Sequence, residues 1–201
     1  MRSLREPIER VLDHVRFFLG ATEIRAMHVL TSAQLLPVVA WTIATCEGQE
    51  DSPSPMLVLA TPGKGADRGW TARTQELLNE YGDLRDAARK AEVELPAVAT
   101  PEQAGLAGFA LALAEVLRGL QDPLREAILL LAPDGGARAL SGDLGALLRL
   151  PSLASARWIA VDAGGELALP IRTLGGGTSL MVYAVPDVAP TPPSPGPSRR
   201  H

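Results

Sequence analysis

Cysteine is nearly missing from this sequence: Cys46 is the only one among 201 residues. A single thiol excludes an intramolecular disulfide and any zinc site built on several cysteines. Histidine is sparse as well. His14, His28 and His201 lie far apart and show no metal-ligand spacing, so neither a metal nor a cofactor is expected. Of the 19 basic residues only Lys64 and Lys90 are lysines, and no dense basic run occurs. With a net charge of −4 and a pI of about 5.4, the overall field does not favour nucleic acid or an anionic membrane as partner. No apolar run reaches the roughly 18 residues needed to span a bilayer. The first residues read as an amphipathic segment rather than a signal peptide, which makes the cytoplasm the expected compartment.

What is present reads as a folded domain. Apolar residues make up 46% and charged residues 21% of the chain, and its length favours one domain over two. Leu4, Ile8, Val11, Leu12, Val15, Phe18 and Leu19 recur at helical spacing, with Gly20 as a stop. Ile24 to Leu30 reads as a strand. Leu35 to Cys46 reads as a mostly apolar, largely buried helix with Pro37 in its first turn. Met56 to Ala60 is a short apolar strand, followed by the Gly-rich loop Thr61–Gly69 (TPGKGADRG) and a charged helix over Thr74 to Glu92. Pro96 to Gln103 reads as a linker, and Leu106 to Leu120 as an Ala/Leu-rich helix. Ala127 to Ala132 (AILLLA) is the strongest strand signal. Asp143 to Leu150 reads as a short helix, Arg157 to Asp162 (RWIAVD) as a strand and Ser179 to Val185 as the last strand.

Four of these five strands are apolar runs without polar alternation, the pattern of strands covered on both faces. The expectation is an α/β fold: a mostly parallel five-stranded sheet with helices on both faces, forming one domain over residues 1–185. Residues 186–201 are Pro-rich and cannot bury enough apolar surface to fold, so they are expected to be a disordered tail. In such sheets ligands bind beyond the carboxyl ends of the strands. The loops that matter are therefore Thr31–Leu36, Thr61–Gly69, Pro133–Ser141 and Asp162–Glu166.

This order of parts, over roughly residues 1–185, resembles the core of P-loop NTPases, in particular their AAA-like and STAND-like branches. The corresponding pieces are VLTSAQLLPVVAW for the first strand, phosphate loop and helix, AILLLAPD for the strand with an acidic end, and RWIAVD for the sensor strand. The family's phosphate loop is G-x-x-x-x-G-K-[ST]. Thr31–Trp41 has no Gly and no Lys, places Leu35 and Leu36 where the backbone must lie open, and loses an N–H donor at Pro37. No phosphate-binding role carries over to it. Asp134 matches the acidic strand end, but Gly135 follows in place of a second acid. Both Asp134 and Asp162 read first as turn residues.

The remaining candidates are few. Gly63, Lys64 and Gly65 could present N–H groups and an ammonium to an anion, although Val58 stands where a first loop glycine would be and Gly65 follows the lysine. The plainer reading is an exposed loop. Trp70, beside that loop, is a candidate interaction residue if exposed and a core lid if not. Gly175–Gly177 lie at the amino end of a strand and read as a connection. Cys46 reads as a small buried hydrophobe and His28 as a structural histidine. Ser32, Ser141 and Ser179 have no convincing histidine partner, so no catalytic residues are assigned. The resemblance implies a non-catalytic protein-interaction or regulatory module with a protein partner. The alternative is a Rossmann-like nucleotide or anion sensor binding at Thr61–Gly69. A hydrolase with an unrecognised site ranks last.

Overall fold

A computed structural model of the chain describes residues 5–46, 54–60, 66–120, 124, 126–131, 137–162 and 179–184. The helices are α1 (Arg5–Gly20), α2 (Leu36–Ala44), α3 (Ala66–Lys90), α4 (Gly105–Gly119) and α5 (Ala137–Leu148). The strands are β1 (Ile24–Leu30), β2 (Met56–Leu59), β3 (Ala127–Leu131), β4 (Ala156–Asp162) and β5 (Ser179–Ala184). β2, β3, β4 and β1 make the packed body of a parallel sheet, and β5 runs parallel to β1 along its outer side, giving the order β2-β3-β4-β1-β5. The proposed tail over 186–201 lies outside the described residues.

Successive side chains of a strand point to opposite faces, and here both faces are apolar. Met27, Val29, Ile128, Leu130, Ile159 and Val161 face a layer made by α1 and α2. Leu57, Leu59, Leu129, Leu131, Trp158 and Ala160 face α3, α4 and α5. The expected parallel α/β sheet with helices on both faces is what this two-sided burial builds. All five residues of β3 are buried, as its unbroken apolar run requires.

Polar groups close the structure at its margins. β2 is an edge strand, and α3 lies over its open side. Glu80 Oε2 accepts the Val58 N–H at 3.2 Å and Glu76 Oε1 accepts the Ala60 N–H at 2.9 Å. These carboxylates occupy ladder donors that another strand could use. The segment between α3 and α4 packs closely. Tyr81 Oη donates to Pro96 O at 3.1 Å and Arg85 Nε to Leu95 O at 3.1 Å. A Cβ at Gly108 would fall 2.0 Å from Gln103 O, so only glycine lets that backbone approach.

At the amino edge of the sheet the buried Arg157 side chain closes α1. The last carbonyls of a helix have no intrahelical partner. Arg157 donates to Phe18 O, to Leu19 O at 3.2 Å, to Ala21 O at 2.8 Å and to Ile24 O at 3.1 Å; Phe18 O and Ala21 O also each accept a backbone N–H. Its guanidinium also stacks 4.3 Å from the Phe18 ring centre. Burial pulls the pKa of Arg157 below its ordinary value, while Glu126 and Glu23 act in the opposite direction.

Two expectations need correction. α3 begins at Ala66, not near Thr74. Trp70, Thr74, Leu77 and Tyr81 continue one buried stripe, and that packing outweighs the roughly 1 kcal/mol that Gly69 costs a helix. α2 is not largely buried: only Val39, Thr42 and Ile43 within it are, while Val38 and Trp41 face outward. Arg157→Ala is expected to lower stability by about 3 kcal/mol, because several carbonyls lose a charged donor. Arg157→Lys should recover little of it, since an ammonium cannot reproduce the planar fork. Urea unfolding followed by circular dichroism measures both.

Candidate functional site

Parallel strands bring all their carboxyl ends to one edge of the sheet. There Leu30 of β1 lies in register with Asp162 of β4, and the next amide, Thr31 N–H, donates to Asp162 O at 2.8 Å. His28 lies opposite Ala160. That small neighbour leaves room for the imidazole to lie along the sheet toward Asp162, two residues further on the same face. His28 Nε2 stands 3.6 Å from Asp162 Oδ2, with both side chains buried. His28 Nδ1 and Thr31 Oγ1 are buried without a hydrogen-bond partner among the described residues.

A histidine beside a carboxylate serves proton transfer only with a third group, and at 3.6 Å these two lie just beyond hydrogen-bond distance. Among the described residues no hydroxyl or thiol is hydrogen-bonded to His28. The Cys46 thiol follows α2, whose chain direction carries it to the opposite edge, and it donates to Thr42 O at 3.5 Å. The Ser32 carbonyl accepts the N–H groups of Leu35 and Leu36, both at 3.0 Å. No group of three or more His, Cys, Asp or Glu among the described residues is placed to hold a metal. No described helix is long and apolar enough to cross a membrane.

At the β1–α2 junction the backbone bonds engage the flanking amides, while those of Ser32, Ala33 and Gln34 have no backbone acceptor among the described residues. The Thr31, Leu35 and Leu36 amides are engaged as above, and Pro37 has none. Gly63, Lys64 and Gly65 lie outside the described residues, as do Asp134 and Gly175–Gly177. The flanks of the first group are placed: β2 ends at Leu59 and α3 starts at Ala66, so a helix follows Gly65 at once. A helix amino terminus attracts anions. Glu76, bonded to the Ala60 amide at the same strand end, opposes that attraction. Arg73, stacked on Trp70 at 5.0 Å, is buried, which lowers its pKa; Glu76 and Asp143 act to raise it.

Trp70 is not an exposed anchor. It is 1% exposed, packs on Phe109 with ring centres 4.8 Å apart, and donates its indole N–H to Asp143 Oδ2 at 2.7 Å. The exposed indole is Trp41, at 69%, on the outer side of α2 with Val38 at 40%. Phe17 of α1 is 62% exposed. α1 leads into the amino end of β1 and α2 returns from its carboxyl end, so both helices run toward the amino edge. Phe17 and Trp41 therefore occupy the same half of this layer. No charged residue occurs from Thr31 to Cys46. The signal for Trp41 was present in that stretch. A nine-residue helix that is apolar all round packs against one layer through only one of its sides.

Removing Asp162 alone is expected to cost about 2–3 kcal/mol, because the buried His28 imidazole then loses the carboxylate beside it. The double change His28→Leu with Asp162→Leu should cost less than the sum of the single changes. A double-mutant cycle by chemical unfolding measures the coupling.

No family model, curated protein or solved structure matches this chain, so its functional reading stands on the geometry above.

Proposed function

We propose that this chain is a non-catalytic protein-interaction or regulatory module built on a degenerate P-loop NTPase-like fold, and that it docks a protein partner through the outer side of α2. In this reading Ser179–Ala184 completes a sheet of five strands within one domain. The observation that carries the reading is the state of the β1–α2 segment. Its amides at Thr31, Leu35 and Leu36 are already engaged, and Pro37 offers none. The same segment turns an uncharged surface with Trp41 outward. At the position of a phosphate loop this chain has neither glycine nor lysine and packs Leu35 and Leu36 against the core, and its other side presents an aromatic of the kind that anchors interfaces.

The second reading, a nucleotide or anion sensor at Thr61–Gly69, is favoured by one feature: α3 begins directly after Gly63, Lys64 and Gly65. The carboxylate of Glu76 near that strand end weighs against it.

Thermal unfolding with ATP, GTP, their diphosphates and cyclic nucleotides, with and without magnesium, separates the two. A ligand at 100 times its dissociation constant adds about 2.7 kcal/mol, a visible shift. The interaction reading expects no shift with any of them. A shift abolished by Lys64→Ala would install the sensor reading in its place. Nucleotide hydrolysis lost on changing Lys64 or Asp134 would overturn the non-catalytic assignment.

A further inference from the structure

The outer side of α2 has a pattern that fits one particular partner. Its exposed residues include Gln34, Val38, Trp41 and Thr45. Their spacing of four, three and four residues places them in one stripe along the helix and its two flanking turns. Those turns continue the helical path: Leu35 and Thr45 have helical backbone angles, and the Thr45 N–H donates to Trp41 O at 3.0 Å.

Gln34, Val38, Trp41 and Thr45 are spaced symmetrically about their own centre, with Ala33 and Pro37 exposed beside them. When two copies of α2 pack antiparallel about a two-fold axis, Trp41 comes opposite Val38 of the other copy and Gln34 opposite Thr45. The large indole then meets a smaller aliphatic side chain twice, the large-against-small fit that lets helices interdigitate. Two uncharged hydrogen-bonding side chains meet at each end, giving an apolar centre with a polar rim.

Charge points the same way. Two copies of one surface meet without repulsion only where that surface lacks an excess of one sign. The segment from Thr31 to Cys46 carries no charge at all. On neighbouring α1, Arg10 is paired with Glu6 at 2.6 Å and Arg16 with Asp13 at 3.5 Å. Phe17, exposed in the same half of the layer, extends the apolar area.

We infer that the partner of this surface is a second copy of the chain, joined through antiparallel α2–α2 packing with Trp41 and Val38 at its centre. This inference rests on the reading of the α2 outer side as a docking surface. A single short helix and one flanking aromatic make a patch below the roughly 800 Å² per partner of a standard interface, so the dimer is expected to dissociate in roughly the micromolar range.

The tryptophans provide an internal probe. Trp70 and Trp158 are buried at 1% and 0% exposure, so quenching by iodide in the folded chain reports on Trp41. Sedimentation equilibrium of the full chain should give a dimer mass that falls on dilution, with iodide quenching rising over the same range. Val38→Glu should be monomeric and fully quenchable, with an unchanged far-ultraviolet circular dichroism spectrum because the position is exposed. The geometry has its own test. Gln34→Glu with Thr45→Arg places opposite charges across the two-fold, whereas Gln34→Glu with Thr45→Glu places like charges there. The first pair should associate at least roughly tenfold more tightly than the second. A wild-type chain that stays monomeric at every concentration with Trp41 quenchable overturns the second copy as partner. That result leaves the docking reading to the nucleotide titration, which fails independently. A dimer that survives Val38→Glu, or equal association of the two charge variants, also overturns it.

Discussion

The arrangement of this domain depends on a guanidinium buried at the amino edge of its sheet. Arg157 leaves β4 and donates to carbonyls at the end of α1 and in the turn that follows it. An arginine can do this because its planar fork presents several donors at fixed angles, and helix ends leave carbonyls without partners. The bonds join α1 to the sheet where β1 begins, so they orient the helix and the first strand together. On the other face Arg25 of β1 does the corresponding work for α5. It donates to Leu148 O at 3.1 Å and Leu153 O at 2.8 Å. The register between β1 and β5 shifts between Ile24 and Ala26, with Arg25 as the intervening residue, so a local irregularity accompanies its reach to that face. Neighbouring strands thus each close one helix, on opposite sides of the sheet.

With helix ends satisfied at one edge, the sheet is free to be apolar through its whole thickness. β3 and β4 have no exposed residue along their length. Such strands need cover on both sides, and the chain supplies it unequally. Three helices with Trp70, Phe109 and Tyr81 pack one side, and two pack the other, one of them the nine-residue α2. Among the described residues the two-helix layer exposes Phe17, Val38 and Trp41, and the three-helix side exposes Leu111 and Leu150. The exposure of α2's outer side, on which the proposed docking rests, therefore comes from the fold. A short helix that must pack a large apolar sheet, and carries no charge on its outer side, leaves apolar surface facing out.

The carboxyl edge, where α/β sheets commonly hold ligands, is held by internal bonds between Thr31 and Asp162 and by the His28–Asp162 pair. The small Ala160 beside His28 lets the buried imidazole come within 3.6 Å of the Asp162 carboxylate. The pair's physical role is to join β1 to β4 at the edge opposite Arg157. The same two strands are thus fastened at both ends.

Much of the architecture was legible in the sequence because it is local. Met56–Leu59 and Ala127–Leu131 are unbroken apolar runs, and apolar spacing in the first helix marks the side that faces the sheet. Gly63–Gly69 misled the reading of α3, since glycines signal a loop while the stripe that overrides them, from Trp70 to Tyr81, needs a core to pack against. For α2 the local signal is uninformative, because a helix apolar all round does not say which side is covered. The sequence by itself determined the alternation of strands and helices and the burial of the sheet on both faces, since both follow from periodicity over a few residues. Strand order, the closing of α1 by an arginine 139 residues after Phe18, the pairing of His28 with Asp162 and the exposure of Trp41 were decided only by the tertiary structure. Each depends on which distant segment arrives at a given position, and local spacing carries no record of that.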